Sequence, residues 1–358
     1  HASYVQDDFK LTPRFTLNLG LRYDLASEPV ERHDRYSNFD PFATNPRTSL
    51  PGVLQYAGAG YPRHFVDRDY NNFGPRFGFA WDLTGSGKTA IRGGYGVVYL
   101  LVESGDTAGD DSNALGFSST TPFTAVGGGP FKAFQFSQGP TSLIRPLGPA
   151  GGPSAFRGQA VRYQERHAPT PYLQQWNFTL QQALPFQWVI SASYAGNKGT
   201  KLFGGNYNLN QQDPANFALQ LRLQDRVPNP FFGQIATGAL AAATTTRGQM
   251  LLPYPDYLSV MTFANHGSSS IYHALQSTIE KRYSNGVSAL ISYTYSKLIN
   301  DSLSRGGGGD ATLGEFRLGR FNRRLERAVD QNDVTHRMVA SVVYELPFGR
   351  GKPLLGDA

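Results

Sequence analysis

Residues 85–89 read GSGKT, which matches the end of the loop that many nucleotide-binding proteins wrap around phosphate. The complete motif needs a glycine five positions before Gly87, and this chain has Asp82 there. It also needs a helix after the lysine, whereas residues 91–99 alternate between apolar and small or polar side chains, as a strand does. The sequence therefore favours a turn between two strands over a phosphate-binding loop.

A second group of residues has the chemistry to bind a hard cation such as calcium, which prefers carboxylate oxygens. Its members are Glu103, Asp106, Asp110 and Asp111. A solvated acidic loop explains the same residues and is the favoured interpretation. The group is therefore kept only as an alternative metal site.

Signatures of enzymatic catalysis are missing from the sequence. The seven histidines form no HExxH motif or other metal-ligand spacing, and no nucleophile elbow of the GxSxG type occurs. We therefore predict that the protein is not an enzyme and has neither catalytic residues nor a cofactor.

Arginine side chains occupy polar positions of several strand-like segments. They are Arg22, Arg76, Arg92, Arg282 and Arg337. The favoured interpretation pairs them with acidic residues of the same face, namely Asp24, Asp82, Glu280 and Glu345. The alternative, which is compatible with the first, is that this face contacts an internal plug or an anionic solute. The candidate solute-binding residues of this face are Arg76, Arg92, Glu280, Arg282 and Arg337.

Residues 272–298 contain a hairpin that presents such a polar face. Apolar and polar residues alternate on both sides of its turn, so each strand has one apolar and one polar side. The apolar sides match if a three-residue turn is closed by Gly286 in a left-handed conformation. The pairs are then Tyr283 with Val287, Ile279 with Ile291, and Leu275 with Tyr295. Strands of about ten residues suit a bilayer crossing beside a polar lumen, although a soluble hairpin shows the same pattern.

The same alternation predicts nine antiparallel strands joined in sequence order. They span residues 2–10, 15–24, 73–82, 90–99, 173–183, 188–196, 272–283, 287–298 and 335–346. The apolar face includes Leu17, Leu19, Phe77, Phe79, Ile190, Ile291 and Val342. We expect Phe79 to lie opposite Gly93 and to cover its backbone. Asp7 falls on the apolar face, and a β-bulge between Gln6 and Asp8 would restore the alternation.

Connections between these strands alternate between short and long. The short ones are 12–14, 84–88, 185–187 and 284–286, and the long ones are 25–71, 101–170, 197–270 and 299–333. Short turns on one side and long loops on the other are typical of outer-membrane barrels. We expect the long loops to be extracellular and to present exposed aromatic side chains for recognition: Tyr56, Tyr61, Phe123, Phe231, Phe232 and Tyr257. The alternative is that these loops are disordered spacers.

Composition excludes some classes of protein. The chain has 358 residues and a formal net charge of +6, without a continuous Lys/Arg stripe, so we predict no nucleic-acid partner. No run of apolar residues is long enough for a transmembrane helix. The mean hydropathy of -0.37 would suit a soluble protein, but barrel strands expose only every second residue to lipid.

Several stretches together resemble TonB-dependent outer-membrane receptors, and most closely the Oar-like group. They are YVQDDFKLTPRFTLNLGLRYD, NNFGPRFGFAWDLTGSGKTAIRGGYGVVY, YLQQWNFTLQQAL, SASYAGNKGTKL, YHALQSTIEKRYSNGVSALISYTYSKLIND and VVYELPFGRGK. The resemblance covers nearly the whole chain and follows the order of the family. It implies an all-β fold, an antiparallel transmembrane β-barrel of about 22 strands with an internal plug.

About nine of those strands are visible here, so residues 1–358 are expected to be part of one barrel domain. The plug, the TonB box, the regulatory domain and the C-terminal end of the barrel are expected to lie outside this chain. The partners implied by the resemblance are outer-membrane lipid, the protein's own plug, TonB and an extracellular solute. The implied location is the bacterial outer membrane.

Three functions are compatible with this reasoning. The first is TonB-energised uptake of a solute that the extracellular loops capture. The second is adhesion or surface assembly by an outer-membrane barrel without active transport. The third is a soluble carbohydrate-binding β-protein, which the repeated aromatic-rich outer face disfavours. A plug upstream in the parent protein would distinguish the first function from the second.

Overall fold

The protein is described by a computed structural model that covers residues 1–27, 30–64, 66–101, 115–123, 142–203, 207–263, 266–301 and 321–349, with positions 134, 137, 139, 140 and 354. One meandering antiparallel sheet and a folded layer of connections account for most of these residues. Within this part of the chain, no helix is long and apolar enough to cross a membrane.

The main sheet has ten strands, and nine of them are the predicted ones. With strands numbered along the chain, they are β1 (Ala2–Thr12), β2 (Phe15–Asp24), β5 (Phe73–Asp82), β6 (Thr89–Tyr99), β8 (Tyr172–Leu184), β9 (Trp188–Leu202), β13 (Ser268–Ser284), β14 (Val287–Asn300), β15 (Ala328–Val329) and β16 (His336–Tyr344). Neighbours in the sheet are neighbours in this order, and β14 pairs with both β15 and β16. The sheet is open, because β1 and β16 do not pair with each other. The predicted all-β fold and strand order are confirmed.

Cross-strand pairing gives the sheet one apolar and one polar face, because directly opposite residues point to the same side. Leu17 lies opposite Phe79, and the register continues without a change of face to Ile291 on β14. All seven residues predicted for the apolar face share this side. Phe79 lies opposite Gly93 as predicted, and a Cβ on Gly93 would come within 2.5 Å of its ring. The ring therefore covers bare backbone.

The β13–β14 hairpin differs from the prediction at its turn. The two inner pairs form as expected, but Val287 pairs with Ser284 instead of Tyr283. Asn285 and Gly286 have φ angles of 51° and 74°, which makes the turn a two-residue one. A bulge just before Ser284 supplies the extra residue that keeps the two apolar faces together. The predicted three-residue turn is therefore wrong, while the register beyond it is right.

The first strand has no bulge at Asp7. Pairing of β1 with β2 is continuous over residues 2–10 and shifts only at Leu11, so the bulge that would restore the alternation at Asp7 is absent. Asp7 lies opposite Leu19, on the apolar face. Its carboxylate accepts a hydrogen bond from the backbone N–H of Asp8 at 2.8 Å, which partly satisfies the charge locally.

The long connections contain strands of their own, contrary to the prediction that they are plain loops. β3 (Ser37–Thr44) and β4 (Pro51–Tyr56) form a hairpin, β7 (Ala160–Gln164) pairs in parallel with β12 (Ser259–Phe263), and β10 (Arg226–Pro228) pairs with β11 (Thr244–Thr246). The β7–β12 pair joins the second connection to the third. We call the described residues of 25–71, 115–171 and 207–267 the cap.

Candidate functional site

The cap has an apolar core to which each of its three connections contributes. Phe39, Leu54 and Tyr56 come from the first connection, Val161 from the second, and Tyr254, Tyr257 and Val260 from the third. Tyr257 is 0% exposed, and the Phe39 ring meets it edge-on with centroids 5.0 Å apart. Each connection buries its apolar residues against the other two, so the three fold as one unit.

Two buried asparagines join segments of the cap that are far apart in the sequence. Asn38 donates to the Gln164 carbonyl at 2.8 Å and accepts from the Gln164 N–H at 3.0 Å. Asn210 donates to the carbonyls of Tyr254 and Tyr257 at 3.0 and 2.9 Å, and accepts from the Tyr254 N–H at 2.8 Å. Buried backbone groups need partners, and these side-chain amides supply them between segments that do not pair as strands.

A buried ion pair fastens the second connection to the third. Arg157 Nε lies 2.9 Å from Asp256 Oδ2, and the two side chains are 7% and 1% exposed. Burial raises the pKa of Asp256, while the neighbouring Arg157 guanidinium opposes that rise. Removal of either partner would leave a buried charge without its counterion, so we interpret the pair as a structural clamp.

Asp67 ties the first connection to the second. It accepts a hydrogen bond from Arg166 Nε at 2.7 Å, lies 2.8 Å from His64 Nε2 and contacts His167. Burial by itself would raise the pKa of Asp67, but the hydrogen bonds from His64 and Arg166 outweigh it and hold the pKa below its ordinary value. This carboxylate is occupied by protein partners.

The six aromatic residues expected to be exposed on the loops differ in their burial. Three are buried in the cap: Tyr56, Phe231 and Tyr257. The prediction of exposed side chains is wrong for these three, because the long connections form a core of their own. Tyr61 and Phe123 are half-buried. Phe232 is 60% exposed, as predicted.

Sequence reasoning missed the most exposed described aromatic residue of the cap, Phe42. It is 83% exposed and meets Tyr163 edge-on at 6.2 Å between ring centroids. Asp40 Oδ1 accepts from the N–H groups of Phe42 and Ala43 at 2.9 and 3.2 Å, where the β3–β4 pairing is interrupted. The Asp40-Pro41 pair is a turn signal that could have located this projection.

On the polar face, Arg76 has room on both sides. It lies opposite Gly20 on β2 and Gly96 on β6, so neither neighbour at its level has a side chain. Its guanidinium group is exposed and forms no ion pair with any residue that the structure describes. Arg76 is therefore available to a solute or to another part of the protein.

Arg92 and Arg337 stand at the two ends of a row of polar residues that crosses the sheet. Successive cross-strand partners from Arg92 are Thr179, Ser193, Gln276 and Thr294, and the row ends at Arg337. The hydroxyl groups of Thr179 and Ser193 lie 2.9 Å apart. Both arginines are exposed, and neither has an ion-pair partner in the described part of the chain. The row combines neutral hydroxyl and amide groups with a cation at each end.

Two of the predicted ion pairs form on this face. Arg22 Nε lies 2.9 Å from Asp24 Oδ2, and the Asp24 side chain is buried. Arg282 Nε lies 3.7 Å from Glu280 Oε1, near the short turn that ends β13. Glu280 and Arg282 therefore lie together but at the end of the strand away from the cap, apart from Arg76.

Two acidic residues that were expected to pair with arginine accept hydrogen bonds from other groups. Asp82 accepts from the N–H groups of Gly85 and Gly87, each at 2.9 Å, which closes the turn after β5. This contact supports a turn at GSGKT in place of a phosphate loop. Glu345 accepts a hydrogen bond from the Tyr283 hydroxyl. The expected metal alternative, Glu103, Asp106, Asp110 and Asp111, lies outside the described residues.

Solved structures of outer-membrane receptors are similar to the chain. The outer membrane transporter YddB from Escherichia coli has 12% identity and a TM-score of 0.36, over 80% of this chain and 25% of its own. The alcaligin receptor FauA from Bordetella pertussis has 11% identity and a TM-score of 0.38, over 97% and 34%. The pyoverdine receptor FpvA from Pseudomonas aeruginosa PAO1, bound to pyoverdine, has 12% identity and a TM-score of 0.33, over 83% and 24%.

The chain thus spans about a quarter to a third of the length of these receptors. No curated protein matches it. A family model for an outer membrane beta barrel domain matches residues 1–358, the whole chain. The chain therefore belongs to the outer membrane beta barrel domain family.

Proposed function

We propose that this chain forms the solute-receiving part of an uptake receptor in the outer membrane. In this proposal the cap captures a solute outside the cell, and Arg76, Arg92 and Arg337 guide it along the polar face. The protein is an outer-membrane β-barrel protein, located in the bacterial outer membrane, with one lipid-facing and one lumen-facing side. The observation that carries the proposal is the set of three lumen-side arginines without ion pairs in the described part of the chain.

An exposed arginine without an internal partner presents its charge and its hydrogen-bond donors to the lumen. A guanidinium group presents a planar fork of donors that matches carboxylate or phosphate. The pairs Arg22–Asp24 and Arg282–Glu280 show that acids are available on this face where charge is neutralised. The positive charges of Arg76, Arg92 and Arg337 are therefore available to bind an anionic solute.

The cap supplies the outer part of the proposed path. Its packed core and buried clamps hold the loops in a defined shape, which is the arrangement in which loops serve recognition. Phe42 and Phe232 project from this shape and are the aromatic side chains that we assign to capture. A rigid surface also lowers the entropy cost of binding.

Energy for uptake would come from TonB acting on a plug, as the resemblance to TonB-dependent receptors implies. Both the plug and the contact with TonB belong to the proposal. Adhesion or surface assembly through the same cap is the second candidate function, because a defined extracellular surface also suits a macromolecular partner. The third hypothesis, a soluble carbohydrate-binding β-protein, is rejected because the family is one of outer-membrane barrels.

The proposal is tested with the full-length protein in its own cells. Mass spectrometry of the growth medium compares compounds depleted by wild-type cells and by cells without the gene, with and without a protonophore. We expect at least one anionic compound to be depleted only when protein and proton gradient are both present. The triple variant Arg76→Gln/Arg92→Gln/Arg337→Gln should deplete it at least about tenfold more slowly, since each charge-assisted hydrogen bond contributes about 1.5–3 kcal/mol.

The matched control is Lys88→Gln, which removes a positive charge from the exposed turn after β5. It should deplete the compound at the wild-type rate. Depletion that does not depend on the proton gradient, or that is the same in the triple variant, would contradict the uptake proposal and favour adhesion.

A further inference from the structure

Cationic and aromatic side chains gather on the apolar face, close to the ends of β9, β13, β14 and β16 that lead into the long connections. They are Tyr194, Lys198, His273, Tyr293, Tyr295, Lys297 and His336, which the register places on the same side as the lipid-facing residues. We call this set the outer-face patch. The lumen-side arginines are on the other face, so the patch is separate from the proposed solute path.

His273 is the centre of the outer-face patch. Its Nδ1 is hydrogen-bonded to the Tyr194 hydroxyl at 2.7 Å, and the two rings stack with centroids 6.0 Å apart and planes 12° apart. Trp176 is a second aromatic neighbour, with its ring centroid 6.0 Å from that of His273. With Nδ1 engaged by tyrosine, Nε2 is the ring nitrogen left to interact with the surroundings.

His336 repeats this arrangement two strands away. Its Nδ1 is hydrogen-bonded to the Tyr293 hydroxyl at 2.8 Å, and its ring packs against Tyr295 with centroids 5.2 Å apart. Strand pairing does not require a histidine at either of these two positions on the lipid-facing surface. Tyrosine alone would serve as an interface anchor.

Two lysines flank His273. Lys297 lies directly opposite it on β14, and Lys198 lies on β9 two residues beyond Gly196, the partner of His273. Lys297 is paired with Asp333 at 3.1 Å. Lys198 is exposed and forms no ion pair with the described residues. Adjacent strands are about 4.8 Å apart, so these three groups cover about 10 Å, the scale of a phosphorylated headgroup.

The opposite end of the apolar face is different. Lys281 lies there, but its Nζ donates to the Phe186 carbonyl at 3.1 Å and to Ser284 at 2.8 Å, and it lies over the Trp188 ring. The ammonium group of Lys281 is thus held by neutral groups of its own protein. Lys198 has no such contact among the described residues, so the ammonium group that is available to a ligand lies on the side of the long connections, which in barrels of this kind is extracellular.

We propose that the outer-face patch binds the phosphorylated headgroup of a lipid in the outer leaflet, with Lys198 and His273 as the phosphate contacts. Anionic headgroups attract basic side chains at the membrane surface, and the tyrosine and tryptophan rings anchor at that same depth. The neighbouring apolar face accommodates the acyl chains. The site serves a barrel that takes up solutes and one that mediates adhesion equally well.

The test uses the full-length protein, purified in detergent, and native mass spectrometry to count retained lipid. The probe is lipid A, a phosphorylated glycolipid, compared with the same lipid after removal of its phosphates. We expect retention of the phosphorylated form and about fivefold weaker binding by Lys198→Gln, given the worth of one lysine at a membrane surface. The double variant Lys198→Gln/His273→Gln should bind lipid A more weakly than Lys198→Gln alone.

Lys88→Gln removes one positive charge from the turn at the opposite end and should bind lipid A like the wild type. Gel mobility of unheated samples confirms that each variant is a folded barrel. Equal retention of both lipid forms, or unchanged binding by the double variant, would overturn the site. Displacement of lipid A by millimolar inorganic phosphate would overturn the lipid as its ligand and indicate a site for soluble anions.

Discussion

The sheet and the cap use aromatic side chains in opposite ways. On the apolar face, Phe77 and Trp81 remain 44% and 40% exposed, because lipid and not protein is their solvent. In the cap, Phe39 and Tyr257 are 0% exposed and pack on each other. The same residue types therefore report a membrane surface in one region and a water-soluble core in the other, and only their neighbours distinguish the two.

The two regions also differ in what holds them together. Sheet strands are joined by backbone pairs between neighbours in sequence order. The cap depends on contacts between residues far apart in the chain, such as Asn38 with Gln164 and Arg157 with Asp256. A change in the cap should therefore spread across all three connections, whereas a change in the sheet should act through its face.

The largest expected contrast is between the two ends of the sheet. Single cysteines at Ala59, Ser137, Gly238 or Gly308 should be labelled by a membrane-impermeant thiol reagent on intact cells, because long connections of outer-membrane barrels are extracellular. A cysteine at Asn285, in a short turn, should be labelled only after the cells are opened. The reverse labelling pattern would show that the short turns are extracellular and that the long connections are not.

The next largest effect breaks the cap and spares the sheet. Tyr257→Ala should destabilise the cap by about 3–5 kcal/mol, because truncation of a fully buried ring leaves a cavity. Limited proteolysis of intact cells should then cut all three connections faster, while the unheated barrel keeps its gel mobility. Phe42→Ala is the matched control, since this ring is 83% exposed and its loss should leave cleavage rates unchanged. Faster cleavage confined to the third connection would contradict a shared core.

A smaller effect tests the two faces of the sheet. Ile291→Arg should reduce barrel assembly, because an arginine on the lipid face near the middle of the bilayer costs about 2–4 kcal/mol. Ser292→Arg, one residue along on the lumen side, should assemble normally. Assembly is measured as the fraction of full-length protein with folded mobility in outer-membrane extracts. Equal yields of the two variants would show that the faces are assigned wrongly.

The smallest predicted effect is a pH dependence of the cap. Burial lowers the pKa of His266, whose ring meets Phe203. The Pro169 carbonyl, 2.7 Å from Nδ1, and then Glu165 oppose this lowering without cancelling it. The unfolded chain then binds a proton that the folded cap excludes. The contribution of His266 to stability is therefore complete above about pH 6.5 and is lost as the pH falls towards the folded-state pKa.

Proteolysis rates at pH 7.5 and 5.5 measure this dependence in the wild type and in His266→Gln. The wild-type cap should become more susceptible at the lower pH, and the variant should respond less. An identical response in both proteins would assign the acid sensitivity to a group other than His266.

Sequence reasoning worked where one short-range rule decides the structure. The alternation in residues 15–24, 73–82 and 287–298 is sufficient to locate strands and their faces, since a shift of one residue would turn every apolar side chain to the polar side. It also identified the Phe79–Gly93 pair. It failed at the end of β13, because whether a turn takes three residues, or two residues and a bulge, depends on a small local energy difference.

The sequence predicted the candidate functional site less completely than the strands, and for a different reason. The positions of Arg76, Arg92 and Arg337 on the polar face follow from strand parity. Which arginines have acid partners does not, because Asp82 is taken up by its own turn and Glu345 by a tyrosine. The exposure of Tyr56 and Tyr257 could not be inferred either, since their partners come from other connections.

The sequence by itself therefore determined the strands, their order, the two faces and the alternation of short and long connections, because each depends on residues close together in the chain. The tertiary structure decided that the connections fold into one cap, that Phe42 projects from it, and that Lys198, His273 and Lys297 lie on neighbouring strands of the outer face. These features arise from residues brought together over long sequence separations. Their positions follow from the register of the whole sheet and the packing of a shared core.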